Sequence, residues 1–242
     1  QPQKTPVVFR SEVDLRNLLK DNYMRQIINF FSNEKQAMKF LSSVMADVQK
    51  TPALIQCEPT SLINSYMTMA QLGLMPSGVS GEAYVLPYVK NVQVAPNKWE
   101  KITQAQFQLG YQGLVTLFYR AGGQKIHADI VREKDEFSYE NGVIKHKIDI
   151  FKSNEKRGAA VGAYVIATFN GEEIVKAMNK DDIIAMGKQF SKSFESKHTP
   201  WDEKNDPELW MWKKTVLKQL GKMLPKNETI YRAIAADNED SI

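Results

Sequence analysis

Ile102-Thr103-Gln104-Ala105-Gln106-Phe107-Gln108-Leu109-Gly110 carries the clearest two-residue alternation in the chain. Gln104, Gln106 and Gln108 fall on one side and Ala105, Phe107 and Leu109 on the other. The run therefore predicts a strand with an amide-rich face and a packing face. Upstream, Tyr84-Val85-Leu86-Pro87-Tyr88-Val89 is also β-like. Residues 84–89 and 102–110 read as an antiparallel hairpin joined by a long polar loop, Lys90 to Lys98. Everything else in the fold is placed relative to this hairpin.

Before it the chain reads as helical. Residues 22–28 and 35–41 carry apolar side chains at three- and four-residue spacing. Thr51-Pro52 and Glu58-Pro59 bound a short connection, because a residue preceding proline is biased away from helix. Thr60 or Ser61 can cap a further helix through Leu62, Ile63, Tyr66, Met69 and Ala70, with Gly73 placed to end it. After the hairpin, Gly113 to Tyr119 reads as a short helix, followed by strands at 125–132, 136–140, 143–150 and 160–169. Asn170-Gly171 is a turn signal before Glu173-Ile174-Val175. Asp181 opens another helix. Lys192 to Asp206 reads as an exposed loop, and Pro207 starts a final long helix. Helices, then strands, then helices is an α+β order, not the alternation of a parallel nucleotide-binding sheet. No internal repeat at a fixed period is evident.

The 242 residues include 43% hydrophobic side chains, 4 Trp, 9 Tyr and 11 Phe, which is enough for a real core and rules out wholesale disorder. A single cysteine, Cys57, can form neither an internal disulfide nor a cysteine-based zinc site. A reducing, cytoplasmic compartment fits that usage. No apolar run approaches the roughly 20 residues that span a bilayer. The start, Gln1-Pro2-Gln3-Lys4-Thr5-Pro6, has no signal-peptide core, and its lack of an initiator Met suggests a trimmed end.

The net charge is only +4, from 32 basic and 28 acidic residues. Its distribution is uneven. Residues 98–132 hold 5 basic against 2 acidic residues, whereas 159–208 hold 6 against 9. From Leu209 to Asn227 there are five lysines and no carboxylate. On a helix turning ~100° per residue, Lys214, Lys218, Lys222 and Lys226 share one arc opposite Val216, Leu217, Leu220 and Leu224. Lys213 falls inside the apolar arc, where a lysine is rare unless it is paired, reaches a partner or snorkels. Two basic blocks flanking an acidic one make a polarised chain, suited either to a polyanion or to an unevenly solvated surface.

Catalytic signatures are weak. Gly73, Gly78 and Gly81 form neither a G-x-x-x-x-G-K-[ST] loop nor a strand–G-x-G-x-x-G–helix. His127, His146 and His198 are far apart in sequence and lack metal-ligand spacing, and two of them lie in expected strands or loops where a solvated or hydrogen-bonded imidazole is the simpler reading. Glu195-Ser196-Lys197 with Asp181 and Asp182 upstream matches half of one nuclease pattern, but in a polar, loop-like stretch. Asp135 and Glu136 read as the polar start of a strand. Binding remains. Lys98, Trp99, Lys101, Gln104, Gln106, Gln108, Tyr111, Gln112, Phe118, Tyr119 and Arg120 interleave cations, amides and aromatics, as a phosphate backbone with splayed bases would require. Phe107, Phe118 and Trp99 can equally be core, and for Phe107 the alternation favours it.

Several blocks resemble the RecT family of phage single-strand annealing recombinases, in a form expected of a phage or prophage of a Gram-positive host. They are Leu72-Gly73-Leu74-Met75-Pro76, Gly81-Glu82-Ala83-Tyr84-Val85-Leu86-Pro87-Tyr88, and Leu109-Gly110-Tyr111-Gln112-Gly113-Leu114. Val131-Arg132-Glu133-Lys134-Asp135-Glu136-Phe137, Trp212-Lys213-Lys214-Thr215 and Leu224-Pro225 continue the series in order. Together they cover roughly residues 50–236, and the ordered set is far more specific than any one block. Gln112 stands where some relatives carry Arg. The resemblance implies a non-enzymatic protein, without cofactor or metal, that binds single-stranded DNA and anneals it to a complement without ATP, as an oligomeric ring or helical filament. It also implies a partner exonuclease and contact with the host single-strand-binding protein.

On this reading residues 1–50 are a helical segment for subunit contacts, 51–236 the DNA-binding core and 237–242 an acidic tail. Lys213, Lys214, Lys218 and Lys222 would line one wall of a groove, with Lys98, Lys101, Gln112 and Arg120 on the other and Tyr111 stacking on a base. Two alternatives stay open: a scaffold whose lysine face meets an acidic protein, and a metal-dependent nuclease.

Overall fold

The computed structural model describes residues 9, 11–76, 80–224 and 228–239. Gly78, Pro225, Lys226 and residues 240–242 lie outside them. The chain forms two compact units, residues 1–113 and 114–242. Residue 50 falls inside the first. The architecture is α+β: helices, antiparallel sheets, then helices.

In the first unit, α1 (Glu12–Leu18), a π-helical turn (Leu19–Tyr23), α2 (Met24–Phe31) and α3 (Glu34–Lys50) lead through a 3-10 turn (Pro52–Gln56) to α4 (Pro59–Gln71). Asn33 caps α3 by accepting from the Gln36 amide. The cap of α4 is Glu58, not Thr60 or Ser61. Its carboxylate accepts from the Thr60 and Ser61 amides, with Pro59 in the first turn where no donor is required.

β1 (Ala83–Ala95) and β2 (Lys98–Leu109) form a two-stranded antiparallel ribbon. The alternation read from sequence holds, with Ala105, Phe107 and Leu109 buried on one face together with Val85. The free edge of β2 is covered by the start of α4. Thr103 O accepts from the Glu58 amide, the Ala105 amide donates to Ser61 Oγ, and Ser65 Oγ donates to Ala105 O. The expected polar loop 90–98 is instead ladder. Pairing continues to Ala95↔Lys98 across the two residues Pro96 and Asn97, with a register shift between Gln93 and Ala95. Ladder hydrogen bonds need no apolar face, so a polar composition did not stop the strands.

α5 (Tyr111–Arg120) follows, and the boundary between the units falls within it. In the second unit β3 (Gly123–Arg132), β6 (Ala160–Phe169) and β7 (Glu172–Asn179) form an antiparallel sheet in the order β3-β6-β7. The β6–β7 turn is Asn170-Gly171, both at positive φ, as that dipeptide predicts. β4 (Glu136–Glu140) and β5 (Val143–Lys147) make a separate hairpin, whose Phe137 and Ile144 pack with Val131, Tyr164, Ile166 and Val175. α6 (Asn154–Arg157) is one short turn, and α7 (Lys180–Phe190) is capped by Asn179, which accepts from the Asp182 amide. α8 (Trp210–Gly221) packs on β6, β7 and β3 through Val216, Leu217 and Leu220.

α8 begins three residues after Pro207, not at it. Asp206 accepts from the Glu208 and Trp210 amides, and Leu209 takes a left-handed conformation (φ 49°) with its side chain buried. The cationic run also ends sooner than a single long helix would allow. α8 closes at Gly221 and a second helix, α9 (Glu228–Glu239), follows.

Candidate nucleic-acid interface

Cross-strand register sorts the ribbon's side chains onto two faces. Asn91↔Lys101 and Gln93↔Trp99 lie on the face that carries Val85 and Phe107 nearer the core. Glu100 points to the opposite face, where Lys98 forms an ion pair with it at 2.7 Å. Lys98 and Lys101 therefore do not present their charges together. Lys101 is exposed and lines a groove of about 790 Å³ with Phe9, Ile55, Cys57 and Pro59. Trp99, which could have been core, is 62% exposed. Phe107 and Phe118 are core. Tyr111 is half-buried at the start of α5, Gln112 is exposed beside Gly81, and Arg120 is exposed at the helix's far end.

The lysines of α8 are mostly engaged. Lys213 is buried, 7% exposed, as its place in the apolar arc required. Its Nζ donates to Glu208 Oε2 at 3.2 Å and sits 4.6 Å from the Trp210 ring centre. Lys214 and Lys218 both reach the buried carboxylate of Asp237, at 3.2 and 2.7 Å, and Lys218 also donates to Asn238. Burial lowers the Lys218 pKa, Asp237 opposes that shift, and Lys214 and Lys222 add to it. Only Lys222, at the end of α8, keeps an exposed ammonium among the four proposed wall residues. The missing counter-charge of the stripe comes from α9, 19 to 23 residues further on. Asp237 thus belongs to a helix, and the residues beyond 239 lie outside those described.

Elsewhere in the second unit a polar hub is buried. Asp135, with 2% of its side chain exposed, accepts from Arg157 Nε and Nη2 at 2.8 and 2.7 Å, from the Arg132 amide at 2.9 Å and from His146 Nε2 at 3.1 Å. His146 Nδ1 lies 3.2 Å from the Tyr164 hydroxyl. The network assigns the tautomer: Nε2–H donates to the carboxylate and the tyrosine donates to Nδ1. Burial, helped by the charges of Asp129 and Asp135, pushes the Tyr164 hydroxyl up to about 12, so it stays a donor. His146 is a hydrogen-bonded core residue, and Asp135 is far more than the polar start of β4. His127 and His198 are exposed. Among the described residues no group of three or more His, Cys, Asp or Glu could hold a metal ion. Glu195 and Lys197 sit in an exposed turn, and Asp182 is engaged with Asn179. No helix among the described residues is long and apolar enough to cross a membrane.

Comparison with known proteins matches the RecT family model over residues 38–242. The chain belongs to the RecT family. RecT proteins are DNA-binding, single-strand annealing proteins of recombination. The chain is 28% identical to "Protein RecT" of Escherichia coli (strain K12) over 249 aligned residues, spanning all of this chain and 86% of that protein. It is 29% identical to "Uncharacterized protein YqaK" of Bacillus subtilis (strain 168), over 76% of this chain and 58% of that protein.

The RecT blocks turn out to be largely architectural. The block at 81–88 meets the block at 109–114: the Gly110 amide donates to Glu82 O, and a Cβ on Gly113 would lie 2.1 Å from that same oxygen. Glu82 also accepts from the Met75 amide, which ties in the block at 72–76. In the block at 131–137, buried Arg132 donates to Gly158 O and pairs with Glu203, while Glu133 accepts from the Ala159 amide. In the block at 212–215, Trp212 Nε1 donates to Trp201 O and Thr215 Oγ1 to Met211 O.

The Asp237 cluster carries its own expectation. Asp237→Ala leaves two mostly buried ammonium groups without their shared counter-charge and should cost about 2–4 kcal/mol in urea unfolding. Replacing Lys218 with Met and Asp237 with Leu together should recover most of that loss. Equal stability of Asp237→Ala and wild type would show the pair to be energetically silent.

Proposed function

We propose that this protein binds single-stranded DNA and anneals complementary strands without ATP. It does so as a homo-oligomeric ring or helical filament in the cytoplasm of a bacterial host, as a non-enzymatic component of recombination. The RecT match, running over 38–242 and joined by a relative aligned across the whole chain, carries this reading. On this proposal an exonuclease supplies the single strand and the host single-strand-binding protein is a further partner. Residues 1–50 contribute subunit contacts.

In the first unit exposed Lys101 and the uncharged Gln112 meet phosphates, and in the second unit exposed Arg120 and Lys222 do. Lys98 takes part once a phosphate competes with Glu100. Lys213, Lys214 and Lys218 act through the field of α8, because their ammonium groups already hold carboxylates. Lysines bind phosphate without reading sequence, which leaves base edges open to a second strand. Tyr111, half-buried, is a candidate for stacking.

The deciding experiment is annealing of complementary oligonucleotides without ATP, with imaging of the assembly. Annealing by a large assembly supports the proposal, whereas single-strand binding without annealing would overturn it. Strand cleavage on adding Mg²⁺ would favour the nuclease reading, and no gel shift with either single or double strands would favour the scaffold. Lys101→Ala should weaken binding to every sequence and flatten the slope of log K against log salt by about 0.7. An unchanged slope would remove Lys101 from the interface.

A further inference from the structure

Beyond the packed part of the ribbon, its outer half exposes an aromatic and a cation side by side. Trp99 is 62% exposed and Val89 67% exposed. Lys101, two residues from Trp99, therefore projects from the same face about 7 Å further in. Asn91 and Gln93, directly opposite them, are uncharged and exposed. On the ribbon itself Glu100 is turned to the other face and paired with Lys98, and Glu58, which lines the groove beside Lys101, has its carboxylate held by the Thr60 and Ser61 amides. A large exposed indole costs free energy in water, and its immediate surroundings are cationic or neutral. That combination fits a polyanion bearing flat apolar rings better than an acidic protein. Proteins that hold single strands without reading sequence combine such aromatics with such cations.

We propose that the outer half of the β1–β2 ribbon is a single-strand grip, in which Trp99 stacks on a nucleobase and Lys101 meets the adjoining phosphate. The inference rests on the single-strand binding proposed above and adds to it a base-dependent contact. All of its residues lie in the first unit, and it needs nothing from α8.

The test compares two probes of equal length and charge: oligothymidylate, and a strand of abasic sugar-phosphate units. Trp99→Leu should weaken binding to oligothymidylate about 5- to 100-fold and leave binding to the abasic strand unchanged. Trp99→Phe should restore most of the loss, because a ring is restored. Lys101→Ala should weaken both probes alike. Trp99 emission should be quenched by oligothymidylate in a Trp210→Phe background, where the other two indoles, Trp201 and Trp212, are buried. Equal loss on both probes, or no loss on either, overturns the grip. A loss that follows dissociation of the assembly in light scattering also overturns it, in favour of a subunit contact. If wild-type protein binds neither probe, it is the single-strand reading itself that fails.

Discussion

Asp135→Ala is expected to be the most damaging single change in the second unit, costing about 3–5 kcal/mol. Its carboxylate is enclosed and fully used: both oxygens accept, and the donors are a guanidinium, an imidazole and a backbone amide. Removing it strips the Arg157 charge, at the junction of α6 and the β4–β5 hairpin, of its hydrogen-bonded anion and leaves only the field of Asp129. It also frees His146 from the bond that fixes its tautomer. The measurement is chemical unfolding, together with loss of near-ultraviolet dichroism from Tyr164 and Phe137.

The same hub sets an acid limit. Burial pushes the Asp135 carboxyl up, but hydrogen bonds from Arg157, Arg132 and His146 together outweigh it and bring the pKa down to about 2 from an ordinary 3.8. A carboxyl depressed on folding stabilises fully above its unfolded value and loses that contribution as pH falls through its folded one. The hub should therefore be at full strength above about pH 4 and fail between about pH 4 and 2. Asp135→Asn should remove that part of the acid transition while leaving later-titrating groups untouched. An identical acid profile would mean the hub contributes nothing to stability.

Gly110→Ala should rival that effect in the first unit, at about 3 kcal/mol or more. A Cβ there would lie 1.9 Å from Gly81 O and 2.9 Å from Glu82 O, and backbone oxygens cannot rotate away. The chain would have to separate the 81–83 segment from the start of α5, breaking the Gly110–Glu82 hydrogen bond. Gly142→Ala is the control for composition, since its Cβ would meet nothing within 4 Å and only its positive φ is strained. If the two variants unfold at the same denaturant concentration, the close approach is not what requires glycine at 110.

What sequence makes legible follows from the range of the interaction involved. The alternation at 104–109 and the Asn170-Gly171 turn are local, and both appear where they were read. The outer ribbon is hard to read because Lys90 to Lys98 offers only Val92 and Val94 as an alternating apolar face before Pro96-Asn97, while its pairing is made by backbone. The α8 stripe looked unopposed because its carboxylate arrives from α9, beyond any helical window. The burial of Lys213 is legible in its angle, since position on a wheel depends only on the helix itself. Asp135 could not be recognised as a hub, because Arg157 and His146 come from 22 and 11 residues away through two different elements. Exposure of Trp99 was likewise undecidable, as alternation assigns a face but not how far the covering helix reaches.

The two lysines that share Asp237 have a practical bearing on shortened forms of the protein. A chain ending before residue 237 would carry the same ammonium groups stripped of their internal anion. Its local charge would rise by one unit in a place the intact molecule keeps neutralised. Such a fragment would cling to nucleic acid, to acidic contaminants and to ion-exchange resin more tightly than its parent. A gain of affinity on trimming the C-terminus would then measure an unmasked surface, not a better binding site.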